Sequence, residues 1–244
     1  MQQFILKKKN IKNKKNIILV HGWGINKKIW NKLIKFFKKK YNVTIIEICE
    51  FIEKFNLYEK SFYYITNLMY KIFNNNSIWI GWSIGGLFVE QIGVNKKNII
   101  ITICSSPCFF KKKIWPGLNK KKIINMMKKL LKNYKITIEN FFLEQSIQKK
   151  HKNIFFHNTK IPNNKSLKKC FITILKTYIK NKKYKKNTKI FRIYGEFDKI
   201  TKQETYKKIF IKKNNRYFII KKSGHIPFLT HTNILYKIIK YIIK

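Results

Sequence analysis

The chain has 244 residues, 45% hydrophobic and 16% aromatic, enough to bury the core of one domain with an insertion and too apolar for disorder. Its formal net charge of +45 comes almost wholly from lysines dispersed among isoleucines and asparagines, with Arg192 and Arg216 the only arginines. Base-reading surfaces use arginine forks in localised patches, so specific nucleic-acid recognition is not expected, whereas loose attraction for polyanions is. No run approaches the ~20 apolar residues of a membrane span and Met1–Leu6 gives no adequate signal-peptide core, so a cytoplasmic protein without a membrane span is expected.

Residues 1–11 suggest an edge strand and a turn. Asn16–Val20 is a continuous apolar run of the kind buried on both faces of a parallel sheet, and it leads into His21-Gly22-Trp23-Gly24. Small residues there let a backbone N–H face a cleft, and His21, at the strand end, reads as a loop-shaping residue rather than a base. Helix spacing covers Ile29–Phe37, Val43–Ile48 is the next strand, and residues 59–73 form a second amphipathic helix.

Ile78–Leu87 then reads as a strand, a turn of small residues around Ser83, and the first turn of a helix. Gly81-Trp82-Ser83-Ile84-Gly85 has the Gly-x-Ser-x-Gly form of a nucleophile elbow, in which a strained turn pushes a serine hydroxyl into a cleft and glycines permit the close backbone approach. The N–H of Ile84, with that of Trp23, would complete an oxyanion hole. The helix Ile84–Ile92 and the strand Asn98–Cys104 continue a βαβ rhythm, which implies an α/β fold with a mostly parallel sheet and helices on both faces.

The rhythm breaks after Ser105-Ser106-Pro107-Cys108. Helical stretches near Lys120–Leu131, Thr137–Gln148 and Ser166–Lys180 make residues 111–187 a helical lid inserted into a core of residues 1–110 and 188–244, with ordinary crossover helices as the alternative. Phe141, Phe142 and Leu143 are either lid core or pocket wall. Lys189–Tyr194 resumes the sheet, followed by a helix near Lys202–Phe210, the strand Tyr217–Lys221 and a closing helix Asn233–Ile242.

A serine needs a histidine to take its proton and an acid to orient that histidine. Asp198, the only aspartate, and His225 follow strands in the expected order. Glu196 and Glu204 are alternative acids and His231 an alternative base; His151 and His157 read as solvent-facing. No Asp/His cluster suggests a metal and no glycine-rich turn fits a dinucleotide or P-loop, so neither metal nor cofactor is expected. Cys49, Cys104, Cys108 and Cys170 form no Cys-x-x-Cys pair and read as reduced core or pocket-wall residues.

Val20–Gly24, Gly81–Gly86 and Gly224-His225 resemble an α/β-hydrolase. Ser105–Phe109, Trp115-Pro116-Gly117, Phe141–Gln145, Arg192–Gly195 with Asp198, and His225–Phe228 are similar to the pimeloyl-[acyl-carrier protein] methyl ester esterases of biotin synthesis. The resemblance implies a monomeric serine carboxylesterase releasing methanol from an acyl chain thioesterified to acyl carrier protein. Ser83 would be the nucleophile, Asp198 and His225 its partners, and Trp23 and Ile84 the oxyanion hole. Phe141, Phe142, Leu143, Glu144 and Gln145 would line the substrate chain, with Trp23, Ser83, Ile84 and His225 beside it. A general short-chain carboxylesterase or C–C bond hydrolase of the same fold is the alternative. The chain departs from the family in Glu47 and Cys49-Glu50-Phe51, where members carry an acid and a Pro-Gly turn. It also has Ile136, Asn140, Asn153 and His157 where members place lid arginines, leaving Lys135, Lys149, Lys150, Lys152 and Lys160 to supply charge.

Overall fold

The computed structural model describes residues 14–73, 77–95, 98–113, 115–145, 178–179, 188–202, 204–205, 207 and 216–244. The expected edge strand in residues 1–11, the helix Ser166–Lys180 apart from Tyr178 and Ile179, and His151, Asn153 and His157 lie outside these residues.

Strands β1 (Asn16–Val20), β2 (Asn42–Ile46), β3 (Ser77–Trp82), β4 (Ile99–Ile103), β5 (Lys189–Gly195) and β6 (Arg216–Ile220) form one sheet in the order β2-β1-β3-β4-β5-β6. Every pairing is parallel, with Ile17 opposite Ile78, Ile80 opposite Ile101 and Ile103 opposite Ile193. Buried runs such as Ile17–Val20, and Ile100–Ile103 with Thr102 its one polar member, can only be satisfied by a sheet covered on both faces. Helices α1 (Asn31–Phe37), α2 (Ile48–Lys54), α3 (Phe62–Phe73), α4 (Ile84–Asn95), α7 (Pro227–Thr230) and α8 (Thr232–Ile243) belong to that cover. Here α3 packs on α4, while α1 packs on α8. This is the α/β-hydrolase architecture, with α5 (Lys120–Lys132) and α6 (Tyr134–Gln145) inserted between β4 and β5.

Two local expectations are corrected. The second strand stops at Ile46, because Ile48, Cys49, Phe51 and Ile52 bury themselves as one face of α2. Apolar residues one, three and four apart suit a helix face, and the run was too short for periodicity to decide. Cys49 is disulfide-bonded whereas Cys104 and Cys108 are free, so the four cysteines are not uniformly reduced.

Candidate active site

The site forms at the carboxyl ends of β3, β4, β5 and β6, where open parallel sheets leave a crevice. Ser83 follows β3 with φ of 54°, a left-handed conformation costing a non-glycine residue about 1–2 kcal/mol. Glycine is required on either side of it. A Cβ at Gly81 would lie 2.6 Å from the Gly86 Cα, and one at Gly85 would lie 2.6 Å from the His21 carbonyl oxygen. The turn is held by Ser83 N–H donating to the Ile103 carbonyl at 2.9 Å and by the Ser105 hydroxyl donating to the Ser83 carbonyl at 2.7 Å. Ser83 and Ile84 remain partly exposed on an otherwise buried elbow.

His225 comes from the loop after β6 and is 1% exposed. Its Nε2 lies 3.0 Å from Ser83 Oγ and its Nδ1 lies 2.8 Å from Asp198 Oδ2. A carboxylate only accepts, so Nδ1 carries the proton and Nε2 presents its lone pair to the Ser83 hydroxyl. Asp198 is itself fixed by the N–H groups of Ile200 at 2.8 Å and Thr201 at 3.0 Å, and by the Thr201 hydroxyl. The alternatives lie elsewhere. His231 bonds Thr230 Oγ1 at 2.8 Å next to α8, Glu204 is exposed, and Glu196 accepts the Lys222 N–H at 2.8 Å.

A fourth group enters the cluster, one that the sequence offered only as a core or pocket-wall residue. Donor atoms of Cys104, Asp198 and His225 all lie within 4.8 Å of one another, a set of types that could hold a metal ion. Cys104 directly follows β4 with φ of 47°, and its thiol donates to the Gly224 carbonyl at 3.8 Å. Burial first, then the Asp198 charge, pushes this thiol well above its ordinary range, so it remains protonated at neutral pH. The expectation of a serine carboxylesterase that releases methanol from a carrier-bound acyl chain is thereby corrected: the His225–Asp198 pair is bordered by the Cys104 thiol as well as by the Ser83 hydroxyl. The signal available in the sequence was position, since Cys104 stands at the carboxyl end of a central strand.

Trp23, 5% exposed, lies in the loop after β1, where Gly22 runs beside Ser83: a Cβ on Gly22 would come 3.2 Å from that of Ser83. The His21 ring bonds the Gly22 carbonyl at 2.7 Å, and burial lowers its pKa, which keeps the ring neutral and shapes the loop. Glu47 backs the same loop, accepting the Lys27 N–H at 2.9 Å and pairing with Lys27 Nζ at 3.1 Å. Phe141 on α6 meets Trp23 edge-on at 6.2 Å between ring centroids. The side chains of Phe142, Glu144 and Gln145, and Lys149, Lys150, Lys152 and Lys160, lie outside the described residues. Lys135 is exposed.

A pimeloyl-[acyl-carrier protein] methyl ester esterase of Wigglesworthia glossinidia brevipalpis is 35% identical over 245 residues, covering 94% of this chain and 93% of that protein. The chain belongs to the family of pimeloyl-[acyl-carrier protein] methyl ester esterases. A second member, from Hamiltonella defensa, is 25% identical across 93% of this chain and 92% of its own. No protein-family model matches the chain. Among solved structures, an esterase from Exiguobacterium antarcticum superposes with a TM-score of 0.77 at 13% identity, covering 100% of both chains. The enol-lactonase from Burkholderia xenovorans LB400 gives 0.72 at 12% identity, covering 98% of this chain and 94% of its own. At such identities these likenesses speak for the fold. Among the described residues, no helix is long and apolar enough to cross a membrane.

Proposed function

We propose that this chain is a carboxylic ester hydrolase of broad, short-chain type, with His225 as its general base and Ser83 as the attacking group. The observation that carries the reading is the relay from Ser83 Oγ to His225 Nε2 at 3.0 Å and from Nδ1 to Asp198 at 2.8 Å. In it, His225 takes the hydroxyl proton as Ser83 attacks the ester carbonyl. The backbone N–H groups of Trp23 and Ile84 receive the oxyanion, each such donor contributing about 3–4 kcal/mol. His225 then passes its proton to the departing alcohol. Water, deprotonated by the same ring, releases the carboxylic acid and restores the serine.

In this reading Trp23 and Phe141 form the apolar wall against which the acyl chain lies, with Leu143 beyond, and the insertion of residues 111–187 is a lid on the core of residues 1–110 and 188–244. The edge-on Trp23–Phe141 contact supports it. The net charge of +45 favours an acidic partner, and an acyl carrier protein, named for the relatives, is the one to assay; a monomer in the cytoplasm is the form assumed.

The test is turnover of short nitrophenyl esters, a C–C bond substrate next to a carbonyl, and the methyl ester of pimeloyl-[acyl-carrier protein], followed by mapping of an organophosphonate adduct. Turnover of the small esters with the adduct on Ser83 is the expected result. No turnover of any substrate and no adduct would overturn the reading, whereas turnover confined to the carrier-bound ester would overturn its breadth.

A further inference from the structure

The histidine loop is gripped through its own backbone by side chains from neighbouring strands. Trp82, the last residue of β3 and 1% exposed, donates its indole N–H to the His225 carbonyl at 2.7 Å. Its ring lies 5.4 Å from the His225 imidazole and meets Phe228 edge-on at 5.0 Å. The preceding carbonyl, that of Gly224, accepts the Cys104 thiol at 3.8 Å. From the acid loop, the Phe197 N–H donates to the Ser223 carbonyl at 2.8 Å and Glu196 accepts the Lys222 N–H. Consecutive peptide units of the loop thus answer to β3, β4 and the loop after β5.

Trp82 differs from the other tethers because it is covalently next to Ser83. The distance between Ser83 Oγ and His225 Nε2 spans 142 positions of chain, yet one side chain fixes the backbone of the second residue from the residue adjoining the first. Catalytic geometry tolerates little: a misplacement of about 1 Å can cost ~10²-fold in rate. A neutral indole N–H to a buried carbonyl is a modest contributor to stability, so its larger consequence is for position.

We propose that Trp82 is a positioning residue for the general base, its indole N–H holding the His225 backbone so that Nε2 stays in line with Ser83 Oγ. The inference rests on the reading that His225 serves Ser83. It assigns the indole nitrogen a role that the aromatic ring alone cannot fill. Trp82→Phe keeps the ring contacts with His225 and Phe228 and removes only the donor. Trp79→Phe is the control, since Trp79 is equally buried on the same strand, stacks on Tyr70 at 6.5 Å, and is not part of the histidine loop's grip.

The experiment measures kcat and KM for a short nitrophenyl ester in the wild type and both variants. It also records the downfield proton resonance of the His225 Nδ1–H bond to Asp198, with thermal unfolding to confirm that each variant is folded. The expected result for Trp82→Phe is a kcat about tenfold lower, KM within about twofold, and a shifted or broadened resonance; Trp79→Phe should leave all three unchanged. An unchanged resonance in Trp82→Phe, or an equal kcat loss in Trp79→Phe, would overturn the proposal. Full activity in Ser83→Ala would instead remove Ser83 as the attacking group, and with it the reading that His225 serves Ser83, while the resonance would still decide whether the indole holds the ring.

Discussion

The Arg192 guanidinium meets the Glu90 carboxylate at 2.5 Å, with both side chains 1% exposed, so β5 is tied to the helix that follows Ser83. The strand leading to Asp198 and the helix leading from the elbow are therefore held in one register by charge. Removing one member leaves an uncompensated buried charge, which costs about 3–5 kcal/mol, whereas replacing both by apolar groups is often nearly neutral. Glu90→Gln should lower the unfolding free energy by about that amount in urea titrations, and Glu90→Leu combined with Arg192→Met should recover most of it. A loss under about 1 kcal/mol in the single variant would mean the pair is better solvated than its burial implies.

Two groups border the His225–Asp198 pair, and they should respond differently to deletion. Ser83→Ala should lower kcat by about 10⁴-fold or more, since it removes the hydroxyl at 3.0 Å from Nε2. Cys104→Ala should cost about tenfold or less, because the thiol is protonated and points at the Gly224 carbonyl. Steady-state kinetics on a small ester would decide, and the reverse order would assign attack to the thiol.

Asp198→Asn should reduce kcat by about 10³- to 10⁴-fold, because an amide at that position no longer selects the Nδ1–H tautomer of His225. His225→Ala should be at least as severe, and the double variant no worse than His225→Ala alone, because the residues act as a unit. His231→Ala should stay within about twofold, because the His231 ring bonds the Thr230 hydroxyl and not Ser83 or Asp198. Multiplicative losses in the double variant would show that the acid and histidine act separately.

Glu50 provides a handle on pH. Burial, and then the neighbouring Glu47 charge, raises its pKa from 4.5 to about 7. Between these values the folded protein binds a proton that the unfolded chain has released. Glu50 therefore makes stability fall as pH rises from about 4.5 to 7, after which its effect is constant. Glu50→Gln, which cannot ionise, should raise Tm relative to wild type at pH 8 and leave it nearly unchanged near pH 4.5. A thermal series across that range checks the sign; a gain confined to the acid end would contradict it.

Much of this arrangement was legible in the residues. Buried strands announced themselves as unbroken apolar runs because both faces of a parallel sheet are covered, and Gly81, Ser83 and Gly85 marked the elbow because only glycine admits that backbone approach. Asp198 and His225 followed from chain order and strand ends. The strand through Ile48 was misread because a short apolar run fits a strand or a buried helix face until packing chooses. Contacts between distant segments had no local signature at all. Cys104 read only as a core or pocket-wall cysteine, and neither Trp82 nor Glu90 carried a mark of the group it meets. Their places beside the Gly224 carbonyl, the His225 carbonyl and the Arg192 guanidinium depend on how β3, β4, β5 and the loop after β6 are brought side by side. Local sequence determined the strands, the strained turn and the types of chemical group, because these follow from backbone sterics and burial periodicity; tertiary packing alone decided which groups touch, because hydrogen-bond distance between residues more than a hundred positions apart is set by the sheet and not by the chain.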